Sequence, residues 1–149
     1  MNRRTTLAAA LALTAGLTLA GCGGADGAPQ LEVADPYMPQ PVDQNMAGAY
    51  FTVKNSGDTA DKLTSVTSDL SKDITIHKTV GTKMEQVDSL AIPAGGELRL
   101  SRGGNHLMFM GLKKKPAEGD KVTLRLHFAT ADPIKVTVPV KAVTYAPKK

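Results

Sequence analysis

The chain has 149 residues, 42% of them hydrophobic and 21% charged, with a formal net charge of +4. That is enough for one core of ordinary size. With no tryptophan, few aromatics and no RNA-binding signature, nucleic-acid recognition has no support. A single cysteine, Cys22, leaves no internal disulfide and no redox pair.

The N-terminus reads as a secretion signal. Arg3 and Arg4 form a positive start, and Leu7 to Ala20 is an uncharged Ala/Leu/Thr stretch too short to span a bilayer. Leu19-Ala20-Gly21-Cys22 resembles the bacterial lipobox, in which the cysteine is acylated and becomes the first mature residue. The bland alternative is a cysteine left in an ordinary cleaved signal. The expected organisation is a signal peptide over 1–21, a flexible tether over 22–30 beginning at lipidated Cys22, and a folded domain over 31–149. Such a tether has a root-mean-square length of about 15 Å. Two acyl chains would hold the domain stably at the outer face of the cytoplasmic membrane. The Arg-Arg pair leaves Sec and twin-arginine export both open. Losing Arg3 and Arg4 takes the basic residues from 18 to 16 against 14 acidic ones, so the mature charge is about +2.

Beyond the tether the pattern is β throughout. Asp35 to Asp43 reads as irregular, because prolines at 36, 39 and 41 exclude a central strand. Ala47 to Lys54 alternates and stops at the turn cluster Asn55-Ser-Gly-Asp58. Lys62 to Val66, Asp73 to His77, Glu97 to Ser101, Lys121 to Phe128 and Ile134 to Val140 alternate in the same way, each bounded by turn residues. No sustained helical period follows the signal. The expectation is an all-β domain, an antiparallel Greek-key β-sandwich of cupredoxin or immunoglobulin-like kind. The basic run Lys113-Lys-Lys115 reads as a solvated turn in preference to a docking patch.

The chemistry-bearing residues are histidines and methionines. In Gly103-Gly104-Asn105-His106-Leu107-Met108-Phe109-Met110, a two-residue repeat puts His106, Met108 and Met110 on one face and Leu107 and Phe109 on the other. Between His77 and Met84, an even-numbered hairpin loop centred between Val80 and Gly81 would set the two directly opposite each other; an odd loop would leave them diagonal. Imidazole and thioether together form a donor set that hard cations do not use and that suits Cu(I). Taken singly, a methionine in a strand is more often core filler and a histidine more often a hydrogen-bonded surface residue. On those grounds Met38, Met46 and His127 are set aside.

Met46-Ala-Gly-Ala-Tyr-Phe-Thr-Val-Lys-Asn55, Asp61-Lys-Leu63, Ile92-Pro-Ala-Gly-Gly96, the Gly103–Leu112 stretch and Glu118-Gly-Asp-Lys-Val-Thr-Leu124 together resemble the periplasmic copper chaperones called PCu(A)C. That family's motif is a His, a Met, twenty-one residues, then His-x-Met. Twenty-one residues separate Met84 from His106 here, and Met108 completes the set. The resemblance implies a Cu(I) site of His77, Met84, His106 and Met108, with Met110 as a possible fifth donor. Six residues lie between His77 and Met84, where the family usually has ten, which implies a shortened hairpin and makes His77 the least secure ligand. The His- and Met-rich tail of some relatives is missing, so one Cu(I) per monomer is expected.

The implied role is extracytoplasmic delivery of Cu(I) to a membrane copper enzyme, typically the CuA centre of cytochrome c oxidase, with another copper chaperone as a further partner. No catalysis is expected, and a monomer is. A blue-copper electron carrier would need a thiolate that the folded domain lacks. No nucleophile motif, zinc signature or carboxylate pair suggests an enzyme. The rivals are a metal-free β-sandwich lipoprotein binding module, in which the His and Met residues are packing, and a copper storage or scavenging lipoprotein.

Overall fold

The computed structural model describes residues 27–148. The signal peptide and Cys22 lie outside them. Ten strands and no helix make up the described residues: β1 Leu31–Pro39, β2 Met46–Asn55, β3 Asp61–Ser68, β4 Asp73–Val80, β5 Lys83–Val87, β6 Leu90–Ile92, β7 Glu97–Arg99, β8 His106–Met110, β9 Lys121–Phe128 and β10 Ile134–Lys141. They form a continuous path in the order β5-β4-β8-β2-β1-β10-β9-β3-β6, with β7 also paired to β2. The two ends of this path cover one shared core, as the all-β sandwich reading anticipates. Phe51, Leu107 and Phe109 come from one half, and Leu63, Leu124, Leu126 and Val138 from the other.

Two expectations are corrected. Every ladder is antiparallel except β1 with β10, which run parallel at Met38↔Val140 and Pro39↔Lys141. The segment from Asp35 is not irregular throughout, because β1 continues to Pro39 in the middle of the sheet path. The prolines are accommodated by a bulge. The β1–β2 register breaks between Ala34 and Tyr37, where Asp35 adopts a φ of 51°, so Pro36 falls where the ladder asks for no N–H. Beyond this break β1 still pairs with β2 at Tyr37↔Tyr50, and at Met38 and Pro39 it pairs with β10, which links the two halves of the sandwich.

The chain enters the domain already tied to it. Asn55, 2% exposed, accepts hydrogen bonds from the backbone N–H groups of Gln30 and Gly57 and donates to the carbonyl of Thr59. A Cβ at Gly57 would collide with the Ala28 carbonyl, so only glycine lets residues 28–30 lie against this turn. On the far side, buried Asp61 accepts from the N–H groups of Lys62, Thr130 and Ala131, pinning the start of β3 to the chain beyond β9.

Strand β8 is the element that positions the site. It pairs with the first half of β2, while β7 pairs with the second half of the same edge. Between them, Ser101 donates to the Asn105 carbonyl and Gly104 to that of Ser101, closing a tight excursion in which Gly103 takes a φ of 77°. The chain thus leaves the edge of β2 and returns to it at His106. Leu107 and Phe109 are both fully buried, so the outward alternation of His106 and Met108 is enforced by the core. Truncating Leu107 to alanine should cost about 2–5 kcal/mol of unfolding free energy in a denaturant titration. Met108→Ala, one residue along but on the other face, should cost well under half as much.

Candidate metal centre

The outer face of β2, β8, β4 and β5 can be read from the register. His106 lies opposite His77 across the β8–β4 ladder, and Met108 lies opposite Thr75. Directly opposed residues on antiparallel strands project to the same side, with Cβ atoms about 5 Å apart. Their imidazole rings stack at a centroid separation of 5.3 Å and an interplanar angle of 16°. On the other flank of β8, Met108 faces Gly48 and Met110 faces Met46.

The hairpin between β4 and β5 does have an even, two-residue loop, Gly81-Thr82, with Val80 opposite Lys83. Gly81 supplies, with a φ of 63°, the positive dihedral that the first position of a type II′ turn demands. The loop is centred one step later than the arrangement that would oppose the two ligands. His77 therefore pairs with Gln86, and Met84 with Thr79. Because the count stays even, His77 and Met84 share a face and meet diagonally. Met84 is 64% exposed, and its side chain helps to line a cleft of about 380 Å³ together with His106, Met108, Met46 and Tyr50. His77 stacks on His106 from the β4 side and does not line that cleft. Three candidate donors, His77, His106 and Met108, are thus held by adjacent strands; Met84 reaches in from the next strand out.

The protonation of the imidazoles follows from their contacts. His106 is buried, and its Nδ1 lies 2.8 Å from the Gly104 carbonyl oxygen, which can only accept. The proton therefore sits on Nδ1, and Nε2 keeps its lone pair for a metal. Thr79 donates its hydroxyl to the same Gly104 carbonyl at 2.9 Å, so one carbonyl ties the hairpin to the ligand turn. His77 Nε2 is 2.9 Å from the Thr75 hydroxyl. Burial, and after it the charge that His106 would carry, lowers the His77 pKa from 6.5. Both effects favour the neutral ring, the form that can ligate a metal.

The donor set is selective by omission. Among the described residues no group of three or more His, Cys, Asp or Glu side chains gathers to hold a metal. What gathers here is two imidazoles and a series of thioethers. The residues set aside on base rates fall elsewhere in two cases: Met38 is wholly buried in the core, and His127, on β9, lies 3.2 Å from the Thr67 hydroxyl. Met46 is different. It is 49% exposed on the candidate face, and the alternation Ala47, Ala49, Phe51 into the core already carried that signal.

The sequence profile of the family described as "Putative lipoprotein LpqE-like" matches residues 31–140. The chain belongs to this LpqE-like family. It is 36% identical over 101 residues to "Putative lipoprotein Lxx21020" of Leifsonia xyli subsp. xyli (strain CTCB07), covering 64% of this chain and 61% of that relative. The LpqE-like chain thus spans about three fifths of the relative's length. Among solved structures, the Cu(I)-bound DR1885 of Deinococcus radiodurans in solution matches with a TM-score of 0.67 at 28% identity, over 82% of this chain and 85% of that one. The copper-bound PCuAC domain from PmoF2 matches with a TM-score of 0.68 over 75% of this chain and 92% of that one. At 22% identity this second likeness shows the fold alone. The resemblance to PCu(A)C domains carried by the sequence motifs is borne out, and the all-β architecture with it.

An NMR titration of the His77 Cε1 proton should give a midpoint below 6.5, because the folded state disfavours the imidazolium. The same linkage makes the contribution of His77 to stability full above pH 6.5. It falls as the pH drops below that value, where the unfolded chain takes up the proton first. A midpoint at or above 6.5 would contradict the environment described for His77.

Proposed function

We propose that this LpqE-like domain is an extracytoplasmic Cu(I) carrier that binds one ion through His77, Met84, His106 and Met108. The observation that carries the reading is the direct opposition of His77 and His106, with Met108 next along the same face and Met84 at the rim of the same cleft. Two neutral imidazoles and two thioethers suit a soft, monovalent d¹⁰ ion and offer nothing to Mg²⁺ or Ca²⁺. The Cu(I)-bound state of DR1885 lends support from a related fold.

The role is carriage and hand-over, with no bond made or broken in a substrate. Met84 is the donor best suited to leave first. It is the most exposed of the four and sits on a two-stranded projection beyond β4, so a thiolate or imidazole from an acceptor can displace it without disturbing the core. The acceptor we favour is a membrane copper enzyme, with the CuA centre of cytochrome c oxidase as the specific candidate. Acylation of Cys22 would hold the carrier at the outer face of the cytoplasmic membrane and raise its local concentration beside such an acceptor. The lipoprotein descriptions of the family and of its Leifsonia relative agree with that anchor.

Competition against a Cu(I) chelator tests the site. Met108→Ala and His106→Ala should each weaken binding by more than about tenfold, equivalent to about 1.4 kcal/mol. Equal affinity in wild type and both variants would leave the histidines and methionines as packing and overturn the proposal. X-ray absorption of the loaded domain should report mixed nitrogen and sulfur donors. For the anchor, Cys22→Ser should move the protein from the membrane fraction to the soluble one.

A further inference from the structure

The candidate face holds more sulfur than one site needs. Of the methionines among the described residues, only Met38 is in the core; Met46, Met84, Met108 and Met110 all lie on the outer face of the β2-β8-β4-β5 layer. Three of them are among the most exposed large apolar side chains described: Met84 at 64%, Met46 at 49% and Met110 at 37%. A side chain in that position fills no core. Met46 and Met110 are directly opposed across the β2–β8 ladder, which puts their Cβ atoms about 5 Å apart on the same side. Met108 is two residues from Met110 on the same strand. Its own partner on β2 is Gly48, over which the Tyr50 hydroxyl lies, 2.9 Å from where a Cβ would stand. Met46 and Met108 line the same cleft.

We propose that Met46, Met108 and Met110 form a second, weaker station for Cu(I), beside the His77–His106 site and sharing Met108 with it. The proposal rests on the reading of that first site, because Met108 is the donor through which an ion would pass from one to the other. Three thioethers without an imidazole bind a soft cation less tightly and exchange it faster, which suits a point of entry or exit and not a resting place. Charge does not recruit the ion. Met110 lines a separate, neighbouring hollow with Asp73, its partner on β4, and with Lys72 and Lys113, so selection rests on the softness of sulfur. Thioethers do not titrate, so the donors of this station do not depend on pH.

The test is an anaerobic Cu(I) titration of the full mature chain carrying ¹³C-methyl methionine, followed by NMR. The first equivalent should move the Met84 and Met108 methyls and the ring signals of His77 and His106. Beyond one equivalent, the Met46 and Met110 methyls should move, with an affinity at least about tenfold weaker. The variant Met46→Leu keeps the apolar volume, and the same spectra report its fold. It should lose the second event and bind the first equivalent within about twofold of wild type. If Met46 and Met110 stay still past one equivalent, or if this variant takes up the second ion as wild type does, the station does not exist. Failure of the first site shows separately, as unmoved imidazole signals in the first equivalent; the station is then judged on the Met46 and Met110 methyls alone.

Discussion

Everything at the candidate metal face depends on β8 being held between β2 and β4 in one register. Its five residues divide strictly between two jobs, Leu107 and Phe109 facing the core while His106, Met108 and Met110 face out. A slip of one residue would push two fully buried apolar side chains into water and pull imidazole and thioether groups into the core. With about 1.5–3 kcal/mol per large apolar side chain at stake, that alternative is not competitive. The geometry of the donors is therefore underwritten by the hydrophobic core behind them, and needs no metal to assemble it.

The same arrangement would let the proposed site hold an ion firmly and still release it. His106 is the fixed point. It is buried, and its Nδ1–H is spent on the Gly104 carbonyl of a turn that closes on itself through Ser101 and Asn105. Thr79 reaches that carbonyl from the neighbouring hairpin, so the two chain segments that supply the imidazoles are bolted to one atom. Exposure then rises outward from His106 through half-buried His77 and Met108 to Met84 at the rim. A donor set graded in this way from rigid to exposed would let an acceptor replace ligands from the outside inward.

The absence of thiolate from the folded domain has a physical consequence for such chemistry. Thioethers do not form disulfides, and their donor strength does not depend on pH; only the imidazoles compete with protons. Burial of His77, and after it the charge that His106 would carry, shifts that competition at His77 toward lower pH. The His77 ring thus stays neutral to lower pH than a free imidazole would.

Alternation alone, read from the amino acids, determined that this is a β protein, that Leu107 and Phe109 point inward, and that His106, Met108 and Met110 share the opposite face. The twenty-one residues between Met84 and His-x-Met, with the stretches around them, carried the resemblance to PCu(A)C, and the Arg-Arg start with its lipobox carried the expectation of a lipid anchor. Those are local patterns, legible because strand geometry repeats every two residues whatever the strand packs against. Only the tertiary structure decided which residues stand opposite one another. It paired His77 with His106 instead of Met84, moved the hairpin centre by one residue, carried β1 past Pro36 through a bulge at Asp35, and brought the discounted Met46 beside Met108 and Met110. Register between strands distant in sequence is fixed by how the whole core closes, and no short stretch of chain contains that information.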